Sequence, residues 1–246
     1  MALSHDTSIA ASEQRGSSTT SPHGTVAARI RLMVFGPQTF CPSKEFLTEI
    51  REYLLSEPRL SGFLDALKNL PSLWDRLVRN DQSLRGVPGA ETLERLVDWI
   101  QHGELPNGII TESNLFGMPL TIVIHIVQYF HYMDGKVSHT KLLEDVSTAG
   151  IQGFCLGLLS AVAVGCARQE SEVNALAAVA LKLAACIGAY IDLHRAYTGD
   201  SFDTVSLAVR CKSSTSHNLL LEVLQTYPEV SKSTLYSTSK HLQVAN

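Results

Sequence analysis

A cysteine flanked by two glycines is the clearest candidate for chemistry in this sequence. Gly153-Phe154-Cys155-Leu156-Gly157 has the form Gly-x-nucleophile-x-Gly, with a short strand-like run before it and an apolar helical run after it. This order is typical of a nucleophile elbow, a strained turn that holds a reactive side chain at its apex. The two glycines would let the backbone pack tightly, and the Leu156 N–H could face a developing oxyanion. The pattern therefore predicts a nucleophilic thiol at Cys155.

The chemistry that suits such a thiol is acyl exchange between thioesters. A thiolate at the start of a helix is favoured by the helix dipole, and sulfur both attacks and leaves readily. A five-residue match also arises by chance, and cysteine is among the most commonly buried residue types. On the pattern alone, a buried structural cysteine is therefore as good an interpretation as a nucleophile.

The elements that must position this turn are two short strands with helices between them. Residues 30–35 form an apolar, β-branched run before Gly36-Pro37, which predicts a buried strand entering a sharp loop. Residues 147–154 predict a second brief strand that leads into the cysteine turn. Helical periodicity predicts several helices between the strands. Ser43 is predicted to cap the first of them, Pro71 to separate two short helices, Gly103 to end a later helix and Pro119 to begin another.

Two long apolar runs, residues 151–167 and 175–191, raise the question of a membrane. The first run contains three glycines, the second carries Lys182, and each falls short of the roughly 20 apolar residues that a span requires. We interpret both runs as buried helices beside a sheet, and we expect no membrane partner.

Composition excludes several classes of function. The 246 residues are 45% hydrophobic and 18% charged, which suits a globular protein, and the net charge of -4 argues against a nucleic-acid partner. Five scattered cysteines without a CxxC pair predict reduced thiols and no metal site. Residues 1–28 are rich in serine and threonine and lack an apolar signal segment, so we expect a flexible leader on a cytoplasmic protein.

Two segments carry a resemblance to a known family. The segment GFCLGLLSAVAVGCA resembles the nucleophile region of the starter-unit acyl carrier protein transacylase domains of fungal non-reducing polyketide synthases. VFGPQT resembles the opening FGxQT motif of these domains, and the two segments occur in the family's order. The stretch between them, including LPSLWDRL, is also similar, so that the resemblance covers about residues 30–230.

The resemblance implies an α/β fold similar to malonyl transacylases, with an α/β-hydrolase-like core and a ferredoxin-like inserted subdomain. The core would be residues 29–200, and residues 201–246 would be a partial inserted subdomain. The tail agrees with this expectation, because SLAVRC, HNLLLEVLQTY and KHLQV have the periodicity of a strand, a helix and a strand.

The resemblance also implies a site and its partners. Cys155 would take an acyl group from acyl-CoA or a phosphopantetheine-linked donor and pass it to an acyl carrier protein or polyketide synthase. Gln38 would help to shape the oxyanion hole as a catalytic residue. Gly153, Leu156 and Gly157 would form the substrate-binding turn, and no bound cofactor or metal would be needed.

The sequence departs from the malonyl-specific relatives of the family at one point. Those relatives carry an arginine about two dozen residues after the nucleophile, where this chain has Ala178-Val179-Ala180-Leu181. Without a guanidinium to pair a free carboxylate, a neutral acyl group is the expected cargo, although Lys182 nearby weakens this inference.

A second departure concerns the catalytic base. The family's catalytic histidine lies beyond the inserted subdomain, after the last residue of this sequence, and His217 matches no family motif. His125, His131 and His194 are interpreted as satisfied or surface residues. We therefore expect either an impaired transacylase or a catalytically silent fragment that binds a carrier protein or synthase. An unrelated membrane or helical interaction protein is a third alternative.

Overall fold

The computed structural model describes residues 32–37, 42–105, 108–135 and 137–198, together with positions 213, 215, 218, 219 and 222. The expected leader at 1–28, Gln38 and most of the expected subdomain at 201–246 lie outside the described residues. The chain divides into two units, Met1–Phe202 and Asp203–Asn246, and all the elements below belong to the first unit.

The described residues form two short strands and a series of α-helices, with 3-10 helices at Pro58–Leu60 and Gln82–Gly86. In chain order, the elements are β1 (Met33–Phe35), α1 (Lys44–Ser56), α2 (Ser61–Lys68), α3 (Leu70–Asn80), α4 (Gly89–His102), α5 (Ile109–Glu112), α6 (Asn114–Met133), α7 (His139–Val146), β2 (Ile151–Gly153), α8 (Gly157–Cys166) and α9 (Glu170–Thr198).

The two strands pair in parallel, although about a hundred residues separate them. Met33 lies opposite Ile151, and Phe35 lies opposite Gly153. The second strand is shorter than predicted, because the chain turns at residues 147–149 and β2 begins only at Ile151. A mostly helical structure around a small parallel sheet is compatible with the predicted α/β class.

Several predicted helix boundaries are confirmed. The Ser43 hydroxyl caps α1 by accepting a hydrogen bond from the Phe46 N–H at 3.2 Å. The chain breaks at Asn69 between α2 and α3, and Pro71 occupies the second position of α3. The fourth helix ends at His102, immediately before Gly103, as predicted.

The prediction that Pro119 begins a helix is wrong. The helix α6 begins five residues earlier, at Asn114, and Pro119 lies inside it. The carboxylate of Asp192, on α9, accepts hydrogen bonds from the backbone N–H groups of Asn114 and Leu115, each at 3.0 Å. This contact satisfies the helix N-terminus from a distant element, which the local sequence around Pro119 does not reveal.

A cluster of charged residues joins the ends of four elements. Arg59 contacts the carboxylates of Glu57 at 2.7 Å, Glu170 at 3.0 Å and Asp134. The Tyr53 hydroxyl donates a hydrogen bond to Asp134 at 2.6 Å. We call these five residues the Arg59 cluster. The guanidinium of Arg59 connects the end of α1 and the 3-10 helix at Pro58–Leu60 to the end of α6 and the start of α9.

Two of the described helices, α6 and α9, are long and apolar enough to cross a membrane. The most apolar window of α6 is 78% buried inside the protein, whereas that of α9 is 44% buried. Core helices pass the same test of length and composition, so the absence of a membrane partner stays a prediction.

Candidate active site

The turn that carries Cys155 has the strand, turn and helix order that the sequence predicts. The strand β2 ends at Gly153, and α8 begins at Gly157. Between them, Cys155 has a φ of 53°, the only positive φ of a non-glycine residue in the described part of the chain. Left-handed backbone is sterically unfavourable for cysteine, so surrounding contacts must hold it there.

Close backbone approaches hold this turn in place. A Cβ atom at Gly157 would lie 2.3 Å from the carbonyl oxygen of Phe35, and one at Gly153 would lie 2.3 Å from that of Gly157. Both distances are far inside van der Waals contact, so each position admits only glycine with this backbone. The Phe154 N–H donates a hydrogen bond to the Phe35 carbonyl at 3.0 Å, which ties the turn to β1.

Cys155 is exposed to solvent in the turn between β2 and α8. The Gly157 N–H is already bonded to the Phe154 carbonyl at 2.9 Å. By contrast, the Leu156 N–H donates no hydrogen bond to another residue within the described ranges. It also lies at the N-terminus of α8, where the helix dipole favours a negative charge. A developing oxyanion could therefore find a donor at Leu156.

The two buried histidines of the described residues are committed to other partners. His125 Nδ1 lies 3.0 Å from the Ser160 hydroxyl oxygen, and burial lowers the pKa of His125 to about 4. His139 bonds to the Tyr129 hydroxyl through Nδ1 and to the Ala167 carbonyl through Nε2, the latter at 2.9 Å. His125 is therefore uncharged at neutral pH.

The remaining candidate residues do not complete a catalytic constellation within the described part of the chain. The ring of His131 packs edge-on against Tyr53 at 5.1 Å, and His194 is exposed on α9. No hydrogen bond joins the Cys155 sulfur to a described histidine. Gln38 and His217 lie outside the described residues, so the role assigned to Gln38 stays a prediction.

The segment that corresponds to the carboxylate-binding arginine of the malonyl-specific relatives lies on α9. Residues 178–181 are part of this helix, and Lys182 after them is partly buried. The described residues contain no group of three or more histidine, cysteine, aspartate or glutamate side chains that could hold a metal ion.

The contact between His125 and Ser160 was not predicted from the sequence. Each is a buried polar residue among the apolar residues that its helix places in the core, α6 for His125 and α8 for Ser160. A buried polar side chain needs a hydrogen-bonding partner. A polar residue on the apolar face of each helix was therefore the sequence feature that could have indicated that the two helices meet at this point.

The geometry is compatible with an α/β protein that carries Cys155 on a strained turn between a strand and a helix. Comparison with known families is more specific: the family model described as "Starter unit:ACP transacylase in aflatoxin biosynthesis" matches residues 33–240. The chain belongs to this family.

Similar proteins include three synthases, from Aspergillus terreus, Penicillium shearii and Cladonia uncialis. The chain is 35% identical over 199 residues to 5-methylorsellinic acid synthase of Aspergillus terreus, covering 80% of this chain and 8% of that protein. It is 37% identical over 201 residues to the non-reducing polyketide synthase esdpA of Penicillium shearii, covering 80% and 9%. It is 33% identical over 202 residues to methylphloroacetophenone synthase of Cladonia uncialis, covering 80% and 8%. The chain thus spans less than a tenth of the length of these relatives.

Proposed function

We propose that this chain is a starter-unit acyltransferase of fungal polyketide biosynthesis that works through a thioester on Cys155. The observation that carries the proposal is the elbow itself, where an exposed cysteine with a φ of 53° is held between a strand and a helix. A cysteine that served only packing would have no reason to occupy a strained and exposed position. Membership of the transacylase family supports the same role.

The proposed reaction consists of two thioester exchanges. The Cys155 thiolate attacks the carbonyl carbon of an acyl-CoA or phosphopantetheine-linked acyl group, a carbon–sulfur bond forms, and the donor thiolate leaves and takes up a proton. The thiol of an acyl carrier protein then loses its proton, attacks the acyl-cysteine and releases Cys155. The Leu156 N–H stabilises the oxyanion in both steps, and Gln38 completes the oxyanion hole. No bound cofactor is required.

The fold proposed for the whole family domain is similar to that of malonyl transacylases. The parallel strand pair, the elbow after β2 and the family match support an α/β-hydrolase-like core at residues 29–200. Residues 201–246 are proposed to be part of a ferredoxin-like inserted subdomain, and residues 1–28 a leader.

The proposed cargo is a neutral acyl group. No arginine occurs between Arg168 and Arg195, so the segment of α9 where malonyl-specific relatives bind a carboxylate lacks a guanidinium. Lys182 is the one cation in that segment between residues 176 and 191. A short or medium unbranched acyl chain needs no counter-charge and suits this composition better than malonyl.

A second candidate function is a catalytically silent module that binds a carrier protein or synthase. It is favoured by one observation: within the described residues, no histidine is hydrogen-bonded to Cys155. A missing general base costs roughly two to four orders of magnitude in rate, so the acyl-enzyme would form slowly if it forms at all.

The test is intact mass spectrometry after incubation with acetyl-, hexanoyl- or malonyl-CoA. We expect one acyl adduct with acetyl- or hexanoyl-CoA, less with malonyl-CoA, and none in Cys155→Ala. Cys166→Ala is the matched control, because Cys166 is also exposed but lies at the far end of α8. An adduct that persists in Cys155→Ala, or no adduct over a long incubation, would favour the silent binding module.

A further inference from the structure

The contact between His125 and Ser160 lies directly behind the elbow. Ser160 is fully buried on the first turn of α8 after Gly157, and His125 is 9% exposed on α6. Their side chains meet at 3.0 Å. The hydrogen bond therefore joins the helix that begins immediately after the cysteine turn to the central helix α6.

His125 also contacts the other side of the elbow. Its ring packs against the ring of Phe35 with centroids 5.5 Å apart. Phe35 is the residue whose carbonyl accepts the Phe154 N–H and against which Gly157 packs. One imidazole thus touches both β1 and α8, the two elements that hold the strained turn from either side.

We propose that His125 is a positioning residue, whose hydrogen bond to Ser160 fixes α8 against α6 and β1 and so holds Cys155 and the Leu156 N–H in a reactive arrangement. This inference deepens, and rests on, the proposed role of Cys155. A rigid support is required because the left-handed turn is strained and would relax if α8 could shift. A small displacement at this position would separate the thiol from the helix N-terminus and the oxyanion donor.

The hydrogen bond to Ser160 is made by the Nδ1 atom of His125, so substitutions that keep or lose a polar atom at that position can be compared. The side-chain amide of asparagine overlays the Nδ1 position of histidine, whereas that of glutamine reaches the Nε2 position. His125→Asn should therefore keep a hydrogen bond to Ser160, and His125→Gln should lose it while keeping the same polarity. Ser160→Ala removes the partner with the smallest change in volume.

Two rates are measured for Cys155 by site-resolved mass spectrometry of the full chain: acylation by hexanoyl-CoA and alkylation by iodoacetamide at pH 7. We expect Ser160→Ala and His125→Gln to slow both rates about threefold to tenfold, and His125→Asn to restore them to within about twofold of the wild type. Alkylation needs only a reactive thiolate, so it tests the positioning even if the wild type forms no acyl adduct.

All rates are compared below the onset of unfolding, where the far-UV circular dichroism of the variant matches that of the wild type. The double variant His125→Gln with Ser160→Ala should react no more slowly than either single variant, because the two substitutions remove the same hydrogen bond. Unchanged rates in Ser160→Ala, or equal defects in His125→Asn and His125→Gln, would overturn the proposal and leave an ordinary core hydrogen bond. Failure of acylation alone, with alkylation following the expected order, would instead count against the proposed function.

Discussion

At the scale of single residues, the cysteine turn depends on two glycines that have no room for a side chain. The carbonyl of Phe35 and the backbone at Gly157 occupy the space into which a Cβ would project. The strain at Cys155 is therefore offset by tight packing of backbone from β1, β2 and α8. This explains why the turn needs glycine on both sides of Cys155, as the sequence pattern predicts.

Gly157→Ala should destabilise the protein by about 2 kcal/mol or more and abolish labelling of Cys155 by hexanoyl-CoA. The added methyl group would lie 2.3 Å from the Phe35 carbonyl oxygen, so β1 and α8 must separate. Urea unfolding measures the first effect, and intact mass spectrometry measures the second.

Gly165→Ala on the same helix is the matched control. A Cβ at that position would meet only the side chain of Ile151, at 3.6 Å, which is an ordinary contact. Alanine also has the higher helix propensity, so we expect about 0.5 to 1 kcal/mol of added stability and unchanged labelling. If both variants behaved alike, the close approach at Gly157 would not be what holds the turn.

At the scale of elements, the Arg59 cluster connects helix ends that are far apart in the chain. Arg59 reaches Asp134 at the end of α6 and Glu170 at the start of α9. The hydrogen bond that Arg59 donates is the main reason why the pKa of Glu57 falls to about 2. Because that carboxylate stays ionised to low pH, the cluster should hold these helix ends together until strongly acidic conditions.

Glu57→Gln should lower the free energy of unfolding, and the loss should depend on pH. The folded-state pKa of Glu57 is below its unfolded value of about 4.3, so its contribution is complete above about pH 5 and disappears as pH falls toward about 2. The side chain of Glu57 is 15% exposed and that of Arg59 35%, so solvent screening reduces the effect to about 1 to 2 kcal/mol. Urea unfolding of both proteins from pH 7 to pH 2.5 measures the difference.

The control is Glu91→Gln, which removes a salt bridge to Arg95 on one face of α4. Both of these side chains are largely exposed, at 63% and 46%, so the substitution should change stability by less than about 0.5 kcal/mol at any pH. An equal effect of the two substitutions would mean that the Arg59 cluster contributes no more than a surface pair.

At the scale of the whole molecule, α9 presents an apolar surface that no described residue covers. Val179, Leu183, Ile187 and Ile191 follow one another at helical spacing and are 52%, 47%, 42% and 36% exposed. We call these four residues the α9 stripe. Contiguous exposed apolar surface of this kind promotes association, so the isolated chain should self-associate as its concentration rises.

Leu183→Gln should reduce this self-association, as measured by sedimentation velocity over a range of protein concentrations in the absence of detergent. Leu55→Gln is a closely matched control, because Leu55 is 45% exposed and belongs to α1 rather than to the α9 stripe. Glutamine adds no charge in either variant, so electrostatic repulsion does not contribute to the difference. A wild-type protein that sediments as a monomer at every concentration would contradict the prediction.

Local features of the structure were largely predictable from the sequence. The cap at Ser43 and the break near Pro71 are decided by residues within a few positions. The glycines on either side of Cys155 indicate its turn locally, although backbone of the distant strand β1 then holds that turn. Their physical basis is the steric and hydrogen-bonding behaviour of serine, proline and glycine, which acts over one or two turns of chain. The start of α6 was not predictable in this way, since Asp192 satisfies it across 78 residues of sequence.

The sequence by itself was enough to identify the family, to single out Cys155 as the candidate nucleophile and to predict the order of strand, turn and helix around it. The tertiary structure decided which polar residues meet behind that turn, as with His125 and Ser160, and which helix ends Arg59 joins. It also decided that the other described residues leave one side of the apolar helix α9 uncovered. The reason is that periodicity specifies the face of a helix but not its neighbour, and these contacts join residues that are 35 to 111 positions apart in the chain.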